Sequence, residues 1–97
     1  MPSDDGYPNE DELKRIRDWE PMDGIGLIDF VRSIWWNADW GCSFETEDDV
    51  EKHQLSTGGW SGNEEIITTM RANWLWWSQH WYSHRCGGHY EFHVKTR

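Results

Sequence analysis

Apolar residues in the first third of the chain recur every three or four positions. Leu13, Ile16 and Trp19 form one such series, and Leu27, Ile28, Val31, Ile34 and Trp35 form another. Both series have the period of an amphipathic helix. Asn9 is a good N-cap for the first, with Glu10, Asp11 and Glu12 placed where negative charge suits a helix start. That helix stops before Pro21. The second is expected from about Ile25 to Trp36, and residues 37–41 break it.

Further on, Cys42 to Glu45 and Val50 to Ser56 read as two short strands joined by the acidic turn Thr46-Glu47-Asp48-Asp49. Thr57-Gly58-Gly59-Trp60-Ser61-Gly62 is a loop by composition. Asn63 then caps a long predicted helix whose stripe is Ile66, Met70, Trp74, Trp77, Trp81 and His84, widened by Ile67. Leu75 and Tyr82 lie nearly opposite that stripe and Trp76 on its flank, so the segment is apolar around most of its circumference. Gly87-Gly88 follows. His89 to Lys95 alternates: Tyr90, Phe92 and Val94 share a dry face, and His89, Glu91, His93 and Lys95 share a wet one.

The expected fold is therefore α+β: a small three-stranded sheet packed against one long Trp-rich helix, with two N-terminal helices beside it. Strand, helix and strand make a β-α-β unit. If its strands share a sheet they run parallel with a right-handed crossover. Residues 1–8 are expected to be a flexible acidic tail and residues 9–97 a single domain.

Composition alters this picture in two ways. Mean hydropathy is −0.94, yet nine Trp, three Tyr and three Phe give the chain large rings from which to build a core. Net charge is −9, and it is uneven. Residues 1–51 hold 15 acids and 4 bases, whereas residues 52–97 hold 3 acids, 5 bases and all five histidines. Direct nucleic-acid binding is disfavoured by this sign. No apolar run is long enough to span a membrane. Two cysteines are too few for a disulfide scaffold, so an intracellular setting with reduced thiols is expected.

Three groups of residues could carry chemistry. The glycine loop runs from a strand into a helix start, where backbone N–H groups can receive an anion. It lacks the lysine of a P-loop, and Glu64 and Glu65 oppose a phosphate there. Its structural reading is that the glycines take positive φ and Trp60 packs as a lid. Second, His80 and His84, four apart on the predicted helix, could present two imidazoles to a metal, with Cys86 and His89 as further donors. His89 and His93 cannot share one ion, because four residues of strand span about 13 Å. Ordinary packed or surface histidines are the plainer reading, and no metal or other cofactor is expected. Third, Cys86 beside Arg85, His84 and His89 has a basic neighbourhood that would suit a nucleophile. Four adjacent polar residues in a turn are common, and a non-enzymatic protein is favoured.

Two segments, residues 55–64 (Leu-Ser-Thr-Gly-Gly-Trp-Ser-Gly-Asn-Glu) and residues 83–92 (Ser-His-Arg-Cys-Gly-Gly-His-Tyr-Glu-Phe), resemble a group of small uncharacterised proteins of tailed bacteriophages and prophages. That group carries arginine where this chain has Cys86. The resemblance implies a phage origin and no mechanism. The expectation is a host-interaction or accessory protein in the host cytoplasm, binding a host or phage protein. Its surface would be Trp60, Ser61, Asn63, Arg85, His89 and Tyr90. The alternatives are a small-ligand or metal-binding domain in the His- and Cys-rich half, and an acidic mimic of nucleic acid.

Overall fold

The computed structural model of the chain describes residues 7–95. Of the expected tail, residues 1–6 lie outside the described residues, while Pro8 is buried and Tyr7 lies against the ring of Trp60. The elements are α1 (Glu10–Arg17), α2 (Gly24–Ile34), a short α3 (Ala38–Gly41), β1 (Cys42–Glu47), β2 (Val50–Ser56), α4 (Ser61–Ala72), α5 (Trp74–His80), β3 (Trp81–Arg85) and β4 (His89–Lys95). Local chemistry sets the first two as expected. Asn9 and Glu12 form a reciprocal capping box at α1, and the Asp23 carboxylate caps α2 by accepting from Gly26 N–H at 2.8 Å.

The sheet has four antiparallel strands in the order β1-β2-β4-β3, one more than expected. The additional strand comes from the predicted long helix, which does not run through. At Asn73 the backbone leaves helical geometry (φ −83°, ψ 71°). Its N–H closes α4 onto Thr69 and Met70 carbonyls, while its side-chain oxygen caps α5 by accepting from Trp76 N–H. The side-chain amide also donates to the carbonyls of Ile16 and Trp19, both at 3.0 Å. A buried asparagine with four such bonds is satisfied only in this broken geometry.

After His80 the chain is extended. A bulge lies between Trp81 and Ser83, so Trp81 pairs with Phe92 and His84 with Tyr90. The inserted residue thus leaves Trp81 and His84, three apart, on one face of the sheet. Helical spacing and bulged-strand spacing coincide here. Aromatic residues favour the strand. Gly87 (φ 91°) and Gly88 (φ 79°) then turn β3 back into β4 rather than ending a helix. The expected parallel strand-helix-strand unit of β2 and β4 does not form, because β3 and its hairpin reverse the chain: β2 and β4 are direct antiparallel neighbours, and it is β2 and β3 that point the same way, on either side of β4.

The register puts His53 and Leu55 of β2 with Phe92 and Val94 of β4 on the helix-covered face, and all four are buried. Ile16, Leu27, Ile28, Val31, Ile34, Ile66, Ile67 and Met70 complete the core. The break at Asn73 also re-phases the indoles. Trp76, expected on a flank, is fully buried between His80 and Phe92 and donates to the Asp23 carbonyl. Trp74, expected on the core stripe, is 67% exposed.

Candidate functional site: an indole-lined cleft at the glycine end of the sheet

The antiparallel pairing of β2 with β4 brings the two glycine segments together at one end of the sheet. Ser56 pairs with His89, and their side chains hydrogen-bond at 2.7 Å. One residue further, Thr57 N–H donates to the Gly88 carbonyl at 3.0 Å. The contact is so close that a Cβ on Gly88 would lie 2.2 Å from the Thr57 hydroxyl oxygen.

Beyond Thr57 the loop turns through Gly58 (φ 62°) and Gly59 (φ 74°), and Trp60 N–H donates back to the Thr57 carbonyl. Helix α4 starts at Ser61, three residues before the predicted start, with Trp60 in the cap position, so Asn63 is not its cap. Asn63 is buried and clamps another segment instead. Its oxygen accepts from Trp36 N–H at 2.9 Å and its amide donates to the Trp36 carbonyl at 3.1 Å. This two-way bond fixes the exit from α2 against the glycine loop. Trp36 then stacks on Trp60 with ring centroids 4.6 Å apart and planes at 22°. Tyr7 also packs against Trp60, tilted at 54° with centroids 5.4 Å apart, and hydrogen-bonds the Ser61 hydroxyl.

Asn37, in the left-handed region (φ 58°), reverses the chain after Trp36 and launches α3. Trp40 of α3 thereby reaches over Gly58, where an added Cβ would meet its ring at 3.1 Å. Between Trp36, Asn37 and Trp40 on one side and Ser56, Thr57, Gly58 and Asn63 on the other lies an open cleft of about 230 Å³. Trp36 and Trp40 are 42% and 63% exposed. Rings left open to water beside backbone amides and carbonyls suit a ligand with both flat apolar and polar parts.

The six residues predicted to form the surface divide. Asn63 lines the cleft as well as clamping Trp36, whereas Trp60 and Ser61 lie behind the lining, Trp60 against Trp36 and Ser61 bonded to Tyr7. His89 is tied to its rim through Ser56. Arg85 pairs opposite His89 and is exposed. Tyr90 faces the helix side, half-buried and stacked on His84 at 4.2 Å. The depression that Arg85, His89 and Tyr90 share is about 20 Å³, room for about one water molecule. Trp36 and Trp40 were not foreseen, because their placement depends on Asn63, 27 residues from Trp36.

The geometry that the metal-binding alternative requires does not form. His80 ends α5 and meets the Pro21 carbonyl, His84 lies in a strand against Tyr90, and Cys86 is exposed in the hairpin turn. Among the described residues no group of three or more His, Cys, Asp or Glu could hold a metal ion. A larger depression of about 800 Å³ opens at the opposite end of the sheet, beside Lys95, the last described residue. Most of its polar side chains are engaged internally: Asp23 with Gly26 and Trp19, Gln79 with Leu75, His80 with Pro21, and His93 with Glu91.

A buried polar cluster lies elsewhere, under β1 and β2. His53 bonds Glu51 at 2.8 Å and stacks on Phe44, over which the Arg32 guanidinium sits at 4.7 Å. Burial holds the His53 imidazole below its ordinary range, against the opposing pull of Glu51. Burial also pushes the Cys42 thiol up to about 11, with Arg32 opposing. These groups support the sheet edge and do not open into the cleft.

Comparison with family models, curated proteins and solved structures gave no match. Among the described residues, no helix is long and apolar enough to cross a membrane. The class that fold and surface define is thus an α+β chain with a four-stranded antiparallel sheet and a tryptophan-lined cleft at its glycine end.

Proposed function

We propose that this chain is a non-enzymatic interaction module whose cleft between Trp36, Trp40 and the glycine loop takes a cationic, extended segment of another protein. The observation that carries this is the pair of open indoles on the acidic half of the chain. The protein's own arginines illustrate the chemistry. Arg15 sits over Phe30, Arg32 over Phe44 and Arg71 over Trp77, at 4.3–5.0 Å from the ring centroids. Among the described residues no Lys or Arg covers Trp36 or Trp40, so the ring surface that Trp60 and Gly58 leave open can take a cation from outside. Asp39 beside Trp40, and Glu64 and Glu65 opening α4, add attraction of the same sign. In the setting that the phage resemblance implies, the partner is a host or phage protein in the host cytoplasm.

Titration with an extended Arg-rich peptide, with a Glu-rich peptide as control, tests the reading. Binding of the Arg-rich peptide alone, weakened about tenfold or more by Trp40→Ala and by added salt, is expected. Equal binding by wild type and by Trp40→Ala contradicts it.

A further inference from the structure

A second surface lies at the other edge of the sheet, and its features point to a second copy of the same chain. The two edges are treated differently. Edge strand β1 carries Glu45 and Glu47 and runs into the Asp48-Asp49 turn, charges that discourage strand addition. Edge strand β3, Trp81-Tyr82-Ser83-His84-Arg85, carries no carboxylate. Indeed residues 66–90 hold no Asp or Glu at all, in a chain of net charge −9. It is the longest stretch without carboxylates, so two such acidic molecules can meet along it with little charge repulsion.

The same stretch is where apolar area is left open. Trp74 and Leu75 at the start of α5 are 67% and 57% exposed, and Tyr82 of β3 is 60% exposed. Trp81 stacks on Trp77 and still shows 42% of its surface. Trp81, against Trp77, lies on the helix-covered side of the edge and Tyr82, stacked on His93, on the open side, so apolar rings flank the strand edge on both faces of the sheet.

The strand is also complementary to itself. Its aromatic residues, Trp81 and Tyr82, stand at one end, and His84 and Arg85 at the other. Antiparallel pairing sets the aromatic end of one strand beside the cationic end of the next, twice by symmetry. Parallel pairing would set like beside like.

We infer that β3 pairs antiparallel with the partner's β3, extending the sheet to eight strands in a closed two-fold dimer, with the Trp74–Leu75 shelf packed over the seam. This does not rest on the cleft reading, since the two surfaces share no residue. Sedimentation of the full chain over a concentration series tests it, with hydrogen exchange followed at β3. The expected result is a species of twice 11.6 kDa at high concentration, with β3 amides protected only in that species. Tyr82→Glu and Leu75→Glu, both at exposed positions, are expected to weaken self-association about tenfold or more with an unchanged circular dichroism spectrum. Trp40→Ala is expected to leave the dimer intact. A monomer at every concentration overturns the inference. So does a dimer that survives both glutamate variants, or one that Trp40→Ala dissolves.

Discussion

Asn73 decides more of this structure than any of the tryptophans around it. One side chain caps α5 and holds the end of α1, while its backbone closes α4. Asn73→Ala removes a cap and strands two buried carbonyls, and is expected to cost about 2–4 kcal/mol. Its neighbour provides the contrast. Trp74→Ala, at an exposed position, is expected to change stability by under about 1 kcal/mol. Urea midpoints of the two variants check both values, and the reverse order would refute the role given to Asn73.

His53 and Cys42 make opposite pH statements. The unfolded imidazole gains a proton as pH falls through its ordinary range near 6.5, while the buried one resists, so protons favour the unfolded chain. The His53 contribution to stability is therefore complete above that range and lost as pH falls below it. A His53→Gln variant should show a flatter decline in Tm between pH 7 and 5 than wild type, as read by thermal melts. The Cys42 thiol behaves conversely. Its contribution is complete below its ordinary value of 9.0 and is lost as pH rises toward about 11. At neutral pH a thiol reagent should label the exposed Cys86 first and the half-buried Cys42, whose thiol is held protonated, more slowly. Equal labelling rates would contradict that difference.

At the scale of elements, what local chemistry controls was legible in the sequence. The Asn9 capping box, the apolar series of α2, the acidic β1–β2 hairpin and the alternation of β4 each involve residues within a few positions of one another. The stretch from Trp74 to Arg85 was not legible, for a definite reason. A bulge at Tyr82 gives Trp81 and His84 the spacing of a helix, and the break before it depends on bonds from Asn73 to residues more than fifty positions away. The cleft was half legible. The glycine loop and Trp60 announce themselves by composition, whereas Trp36 and Trp40 sit in what reads as a simple break until Asn63 grips the backbone there.

The hairpin that replaces the end of the predicted helix carries its own prediction. Gly88 holds a positive φ and touches Thr57, so Gly88→Ala meets both backbone strain and a clash. A loss of about 1–3 kcal/mol is expected, together with weaker binding at the cleft, whose rim Thr57 forms. Gly59→Ala shares the strain but has open space around the added methyl. It should be the milder of the two in chemical denaturation, and equal losses would deny the Thr57 contact its importance.

For the whole molecule, charge and aromatic rings are sorted together. The acidic half supplies the open indoles of the cleft, and the stretch without carboxylates supplies those of α5 and β3. The helices fill one face of the sheet and leave polar residues such as Lys52, Gln54, Glu91 and His93 on the other. Nine indoles provide a built-in set of reporters for that arrangement. The most direct measurement is the set of indole N–H signals in a proton–nitrogen correlation spectrum, followed as an Arg-rich peptide is added. The signals of Trp36 and Trp40 should move progressively while that of buried Trp76 stays fixed. Movement confined to Trp74 and Trp81, or no movement of Trp36 and Trp40 at saturating peptide, would contradict the assignment of the cleft.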